Sequence, residues 1–166
     1  MPIFIRAATP DDAEGIVAVF NPIIESGRFT VFDAPFTVDA ERRHLSGLPP
    51  RAIFHVAVRE DDARIVGFQS LEPFATYTRA FDHVGVVGTY VDLTCVRQGI
   101  GRQLFEATFQ AARQKAYEKI FTYIRADNAA ARAAYAAEGF RVVGTAFRQA
   151  KIRGQYVDEV MVERFL

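Results

Sequence analysis

The chain has 166 residues, half of them hydrophobic, so we expect one compact domain over residues 1–166. Its 20 lysines and arginines equal its 20 aspartates and glutamates in number, so we expect no electrostatic attraction to nucleic acid or to an anionic membrane surface. The single cysteine, Cys95, excludes an internal disulfide and a cysteine-rich metal cluster, and no bound metal is expected. The first residues lack the charged and apolar segments of a signal peptide, and no uncharged apolar run approaches the length of a membrane span, so we expect a cytoplasmic protein.

The first part of the chain predicts one strand and two helices. The strand covers 3–7, and the apolar residues behind it recur at helical spacing. Asn21 and Pro22 are predicted to interrupt this first helix, because proline lacks the N–H that a helix interior requires. The segment that follows is hard to assign and could hold a short helix over a substrate region. The second helix is predicted over 38–48, with Thr37 as its N-cap.

The middle of the chain predicts an antiparallel pair of strands and then a third strand. The pair covers 54–60 and 65–72 and encloses a polar turn. His55 alternates with apolar residues in the first of these strands, and we interpret it as a packed or hydrogen-bonded core residue rather than a catalyst. The connection over 74–83 mixes aromatic and polar residues before the apolar strand over 84–92. Because loops at strand ends often carry binding chemistry, this connection is a candidate for substrate contacts.

A turn with two glycines joins this strand to the next helix. Its residues are Arg97, Gln98, Gly99, Ile100, Gly101 and Arg102. Free backbone N–H groups converge at a helix N-terminus, and two arginines flank the glycines without any acid nearby, so a phosphate or pyrophosphate is the expected ligand. A tight connection without a ligand is the alternative. A P-loop and a dinucleotide fingerprint are both excluded, because Arg102, Gln103 and Leu104 stand where those motifs need other residues.

The last third of the chain completes a mixed sheet with helices on both faces. A strand over 119–125 follows the helix behind the glycine turn, and this right-handed crossover predicts two parallel strands. Asn128 is the predicted N-cap of a helix over 129–138. Strands over 140–148 and 156–164 are predicted to close the chain as a hairpin.

Two separated motifs resemble those of the GCN5-related N-acetyltransferase (GNAT) family. The glycine turn is similar to the family's acetyl-CoA loop, Gln/Arg-x-x-Gly-x-Gly/Ala, with Val96 at its first position. The second motif comprises Asn128, Ala130, Ala131, Tyr135, Gly139 and Phe140. The resemblance covers nearly the whole chain, and within the family this sequence looks most similar to the phosphinothricin and methionine sulfone acetyltransferase branch.

This resemblance implies an α/β fold with a mixed, mostly antiparallel central sheet flanked by helices. It implies direct transfer of an acetyl group from acetyl-CoA to a primary amine of a small molecule, an amino acid or an analogue, by a homodimer. Two alternatives stay open: an acyl-CoA sensor without turnover, and an enzyme that acetylates peptide or protein N-termini. Cys95 as an acyl-carrying nucleophile is disfavoured, since the family uses direct transfer.

The resemblance also implies which residues bind acetyl-CoA and which assist the reaction. Besides the glycine turn, the expected cofactor contacts are Thr89, Tyr90, Val91, Asn128 and Tyr135. A backbone N–H near Tyr90 or Val91 is expected to bind the developing oxyanion. Tyr135 is the expected acid on the departing sulfur, with a packing role as its alternative.

The base and the acceptor contacts are less defined. The related branch carries glutamate where this chain has Val86, so the base stays open among Glu72, Asp82, His83 and Tyr123. His83 is our choice, because its ordinary pKa is the nearest to neutral. Expected substrate contacts are Phe32, Glu72, Tyr77, Val86 and Tyr123.

Overall fold

The computed structural model describes residues 1–166, and its seven strands form one mixed sheet in the order β1-β2-β3-β4-β5-β7-β6. The strands are β1 Ile3–Ala7, β2 Ile53–Arg59, β3 Ile65–Pro73, β4 Val84–Val91, β5 Lys119–Arg125, β6 Arg141–Ile152 and β7 Gln155–Phe165. The α-helices are α1 Ala13–Glu25, α2 Val38–Ser46, α3 Ile100–Gln114 and α4 Ala129–Ala137. Neighbouring strands are antiparallel except for β4 and β5, which are parallel. The predicted order of elements and the mixed, mostly antiparallel sheet are confirmed.

The helices cover both faces of the sheet. On one face, α3 packs on β1 to β4. It meets α4 in a cluster that includes Phe105, Phe109 and Tyr135. On the other face, α1 and α2 pack on β2 and β3. None of the helices is long and apolar enough to cross a membrane.

The predicted break of the first helix at Pro22 is wrong, because α1 continues through this residue to Glu25. Buried apolar side chains on both sides of the proline hold the helix against the sheet, and this packing outweighs the cost of the missing N–H, about 3 kcal/mol in an isolated helix. Asn21 binds the following loop instead: its side-chain amide donates to the Phe36 carbonyl and accepts from the Phe36 N–H, both at 2.9 Å. The segment between α1 and α2 holds no further helix.

The closing hairpin is longer than predicted. Strands β6 and β7 pair from Arg141 to Ile152 with irregularities in register, and β6 forms one edge of the sheet. Val142, Val143 and Phe147 on this edge strand are exposed.

Candidate active site

The sheet opens between its two parallel strands. β4 and β5 pair only over the first three residues of each strand, Val84 to Val86 with Lys119 to Phe121. Just beyond, the Thr122 hydroxyl donates to the Val87 carbonyl at 2.6 Å, and no further ladder follows. Beyond this hydrogen bond the two strands separate and leave a gap between them.

The free edge of β4 supplies backbone donors to this gap. The Asp92 N–H donates to Val66 of β3 at 2.9 Å. Because successive residues of a strand point their N–H groups to opposite sides, Tyr90 also faces β3, whereas Thr89 and Val91 face the gap. Of the two residues predicted to bind an oxyanion through the backbone, Val91 has the suitable direction and Tyr90 does not.

A cavity of about 490 Å³ fills the gap and extends to both faces of the sheet. Its wall contains these predicted site residues: Thr89, Tyr90, Val91, Arg97, Gly99, Ile100, Gly101, Arg102, Tyr123, Asn128 and Tyr135. Segments far apart in sequence thus meet at one site. Gln98, next to the glycines, is exposed and lies outside the wall.

The glycine turn is shaped for an anion. Gly99 has φ +76°, the left-handed conformation that favours glycine, and α3 begins directly behind it without a side-chain cap. A Cβ added at Gly99 or at Gly101 would meet no atom within 4 Å, so the space in front of the helix N-terminus is open. Open space and uncapped N–H groups, with Arg97 and Arg102 beside them, fit a phosphate group.

Asp92 fixes the start of this turn. Its carboxylate accepts from the Thr94 N–H at 2.8 Å and from the Thr94 hydroxyl at 2.6 Å, and it pairs with Arg64. Burial opposes ionisation of Asp92, but the Thr94 hydrogen bonds and the nearby arginine charges together keep its pKa below the ordinary value. Cys95, which follows, is buried beside Ile100 in a small apolar cluster.

Tyr135 lies between α3 and the gap. Its helix α4 begins at the predicted N-cap, Asn128, whose side chain accepts from the Ala131 N–H at 3.1 Å. The Tyr135 hydroxyl is 3.0 Å from the Thr89 hydroxyl, to which Gln69 donates at 2.8 Å. Burial raises the pKa of Tyr135, although the Thr89 hydrogen bond works against it. The phenol is therefore neutral and keeps its proton at physiological pH.

On the α1 face, the cavity is bordered by a loop that Arg125 holds in place. The Arg125 guanidinium donates to the carbonyls of Gly27 at 2.8 Å and Thr30 at 3.2 Å, and to both carboxylate oxygens of Asp127. Phe29, Thr30 and Val31 of this loop enter the cavity wall. Glu159 of β7 lies opposite Arg125 in the strand register and completes this side.

The sequence reasoning missed Arg125 and Glu159. No local motif marks either residue, because their proximity depends on the pairing of β5 with β7, and these positions are far apart in the chain. The last strand carries three acidic residues, Asp158, Glu159 and Glu163, and no local pattern separates Glu159 from the other two.

Other predicted residues do not reach the cavity. Those outside its wall are His83, Glu72, Tyr77, Val86 and Phe32. His83 is exposed at the first end of β4, and its backbone carbonyl accepts hydrogen bonds from Glu118 and Lys119. The structure therefore gives no support to His83 as the base.

The remaining residues of this group have other surroundings. Glu72 Oε1 lies 3.7 Å from His44 Nε2, and Tyr77 is 83% exposed. Phe32 packs against Phe20. His55, as predicted, is a hydrogen-bonded interior residue, with Nδ1 2.9 Å from the Thr108 hydroxyl. No group of three or more His, Cys, Asp or Glu side chains is placed to hold a metal ion.

The fold and the open site together are those of an acyltransferase, and comparison with known proteins gives the family. The sequence profile described as Acetyltransferase (GNAT) family matches residues 23–140. The chain belongs to this family and is an acetyltransferase, so the predicted family and enzyme class are confirmed.

Similar proteins cover nearly the whole chain. A Bacillus subtilis (strain 168) protein, YwnH, provisionally named a phosphinothricin acetyltransferase, is 24% identical over 163 residues, which cover 98% of each chain. A Brucella melitensis structure described as a ribosomal-protein-alanine N-acetyltransferase is 26% identical, with a TM-score of 0.89 and coverage of 98% of this chain and 99% of the other. A Sinorhizobium meliloti phosphinothricin acetyltransferase, solved with acetyl-CoA, has a TM-score of 0.90 at 18% identity, and the alignment covers 100% of this chain and 89% of the S. meliloti chain.

Proposed function

We propose that residues 1–166 form one domain that transfers the acetyl group of acetyl-CoA to the primary amine of a small molecule, an amino acid or an amino-acid analogue. The observation that carries this proposal is the gap between β4 and β5, which has the anion-binding turn at its mouth and Tyr135 in its wall. The names of the B. subtilis and S. meliloti relatives support the acceptor class.

The chain's own residues suit the acyl donor. The N–H groups from Arg97 to Arg102 would hold the pyrophosphate, with the two arginines adding charge at the surface. The Val91 N–H, on the free edge of β4, would bind the thioester carbonyl and the oxyanion that develops on it. Acetyl-CoA supplies an activated acetyl group with a good leaving group, so the protein has to position the amine, receive its proton and stabilise the departing sulfur.

Tyr135 acts on the sulfur as a hydrogen-bond donor. Its phenol pKa is raised by burial, whereas an ordinary thiol has a pKa of about 8.5, so complete transfer of the phenolic proton to a thiolate is uphill. A donated hydrogen bond still stabilises the negative charge that grows on the sulfur. The Thr89 hydroxyl, which already accepts from Gln69, can donate to the phenol oxygen and leave the phenol O–H free to point into the gap.

The test is a thiol-release assay with acetyl-CoA and a panel of acceptors. The panel contains free amino acids with phosphinothricin and methionine sulfone, simple alkylamines, and short peptides with free N-termini. Turnover of free amino acids or analogues is the expected result. Turnover of peptides alone would favour N-terminal acetylation, for which the name of the B. melitensis relative is the supporting observation. Absence of turnover, with CoA binding intact by calorimetry, would favour a sensor.

We further propose that the protein is a homodimer in the cytoplasm. The exposed apolar side chains Val142, Val143 and Phe147 on edge strand β6 support a pairing surface, because such residues are costly to leave in water together. Sedimentation at micromolar concentration tests the dimer, and a monomeric mass would contradict it.

A further inference from the structure

Glu159 is a buried carboxylate without a partner. It is only 8% exposed, yet no hydrogen bond or ion pair with another side chain reaches its carboxylate, and burial alone raises its pKa. Its oxygens are not fully enclosed, since Gln69 Oε1 is the only completely buried side-chain N or O atom that lacks a partner. Because Glu159 lines the cavity, the space that its carboxylate faces is the space that a ligand would fill.

The charged neighbour of Glu159 in the sheet is already paired with another carboxylate. Arg125 is the register partner of Glu159 on the neighbouring strand β5. Its guanidinium donates to Asp127 and to two loop carbonyls, and it makes no ion pair with Glu159. On the β6 side the register partner is Ala146, which carries no charge. The loop residues in the wall are apolar or neutral, and the phenols of Tyr90 and Tyr123 are the other titratable groups on this side. A cation from outside the protein is therefore the group that this position lacks.

We propose that Glu159 binds the protonated acceptor amine and then takes its proton, which makes the acceptor a primary amine that is charged at neutral pH. This inference rests on the proposed acetyl transfer. In the step, one N–H proton of the ammonium moves to a carboxylate oxygen of Glu159, and the bonding electron pair stays on nitrogen as the free lone pair. The neutral amine can then attack the thioester. As the C–S bond breaks, the second proton of the nitrogen passes to the departing thiolate and gives the free thiol of CoA. The carboxylic acid of Glu159 returns its proton to solvent through the open side of the cavity.

The experiment compares two acceptors of similar size that differ in charge. Ethylamine is protonated at pH 7, whereas 2,2,2-trifluoroethylamine is largely neutral because fluorine withdraws electrons from its nitrogen. For Glu159→Gln, kcat/KM is expected to fall about a hundredfold or more with ethylamine and less than tenfold with trifluoroethylamine. Glu138→Gln, which changes another carboxylate in the cavity wall, is the matched control and should leave the ratio between the two amines unchanged.

Equal losses with both amines would assign Glu159 a structural role, and unchanged kinetics would remove it from the reaction; either result overturns the proposal. If the wild-type protein acetylates neither amine, the acceptor panel with amino acids still decides the proposed acetyl transfer, and calorimetry decides the role of Glu159 separately. Ethylamine binding to the protein–CoA complex should weaken at least tenfold in Glu159→Gln. Equal affinity in the two proteins would overturn the ammonium site itself.

Discussion

Replacing Tyr135 by phenylalanine removes a single hydroxyl from the site. The ring stays packed edge-to-face against Phe105 and Phe140, at centroid distances of 5.1 and 5.0 Å. Thr89 keeps the hydrogen bond that Gln69 donates, so no buried hydroxyl is left without a partner. The expected loss in unfolding free energy is that of one ordinary hydrogen bond, about 1 kcal/mol.

The effect on turnover should be larger than the effect on stability. The Tyr135 hydroxyl is placed to help only when negative charge develops on the sulfur, because a thioester sulfur in the ground state is a poor acceptor. Removing such a donor is expected to lower kcat by about ten- to a thousandfold, or about 1.4 to 4 kcal/mol. The affinity for acetyl-CoA should change little.

The assay is thiol release at saturating amine and acetyl-CoA, with melting temperature and acetyl-CoA affinity measured on the same samples. Tyr135→Ala is the packing control, since it also removes the ring and is expected to cost about 3 to 5 kcal/mol of stability. A kcat for Tyr135→Phe equal to that of the wild type, with chemistry shown to limit the rate, would refute the role of the phenol.

Four further substitutions have distinct expected outcomes. Gly101→Ala should raise the unfolding free energy by up to about 1 kcal/mol, because the added Cβ meets no protein atom. The same substitution should weaken acetyl-CoA binding more than tenfold by calorimetry. Arg97→Ala, which removes an exposed charge, should weaken acetyl-CoA binding by only about 1 kcal/mol. Burial raises the pKa of Glu159 in the folded protein above its ordinary value of 4.5. The stability that its protonated form contributes is therefore present at low pH and is lost as pH rises through the folded pKa. In thermal melts, Glu159→Gln should be more stable than the wild type at pH 8 and not at pH 4. Arg125→Lys cannot keep the paired contacts to Asp127 together with both loop carbonyls, so it should raise KM for the amine severalfold with acetyl-CoA affinity unchanged; equal losses for both substrates would contradict this role.

Local signals in the sequence predicted most of the fold, and they also mark the proposed donor half of the site. Thr37 and Asn128 mark helix starts with their own side chains, and the glycine turn combines a required conformation with free N–H groups. These features depend on a few neighbouring residues, so they can be read without knowledge of the tertiary structure.

The acceptor half depends on contacts between distant segments. His83 is near the site in sequence, but it is six residue steps from Thr89 along an extended strand, about 20 Å, and lies at the opposite end of β4. Glu159 reaches the site only through the register of β5 with β7. Pro22 shows that tertiary packing also decides helix boundaries. Its local tendency to break a helix was outweighed by the packing of α1 against the sheet.

The unequal construction of the two halves has a consequence for how this protein can evolve. In the proposed site, the acyl donor binds mainly to main-chain N–H groups at the glycine turn and on the free edge of β4, which most side-chain substitutions leave in place. The proposed acceptor site is formed by individual side chains, among them Glu159, and by a loop that Arg125 holds against the sheet. A single mutation on that side can alter which amine is accepted, while recognition of the donor is inherited almost unchanged.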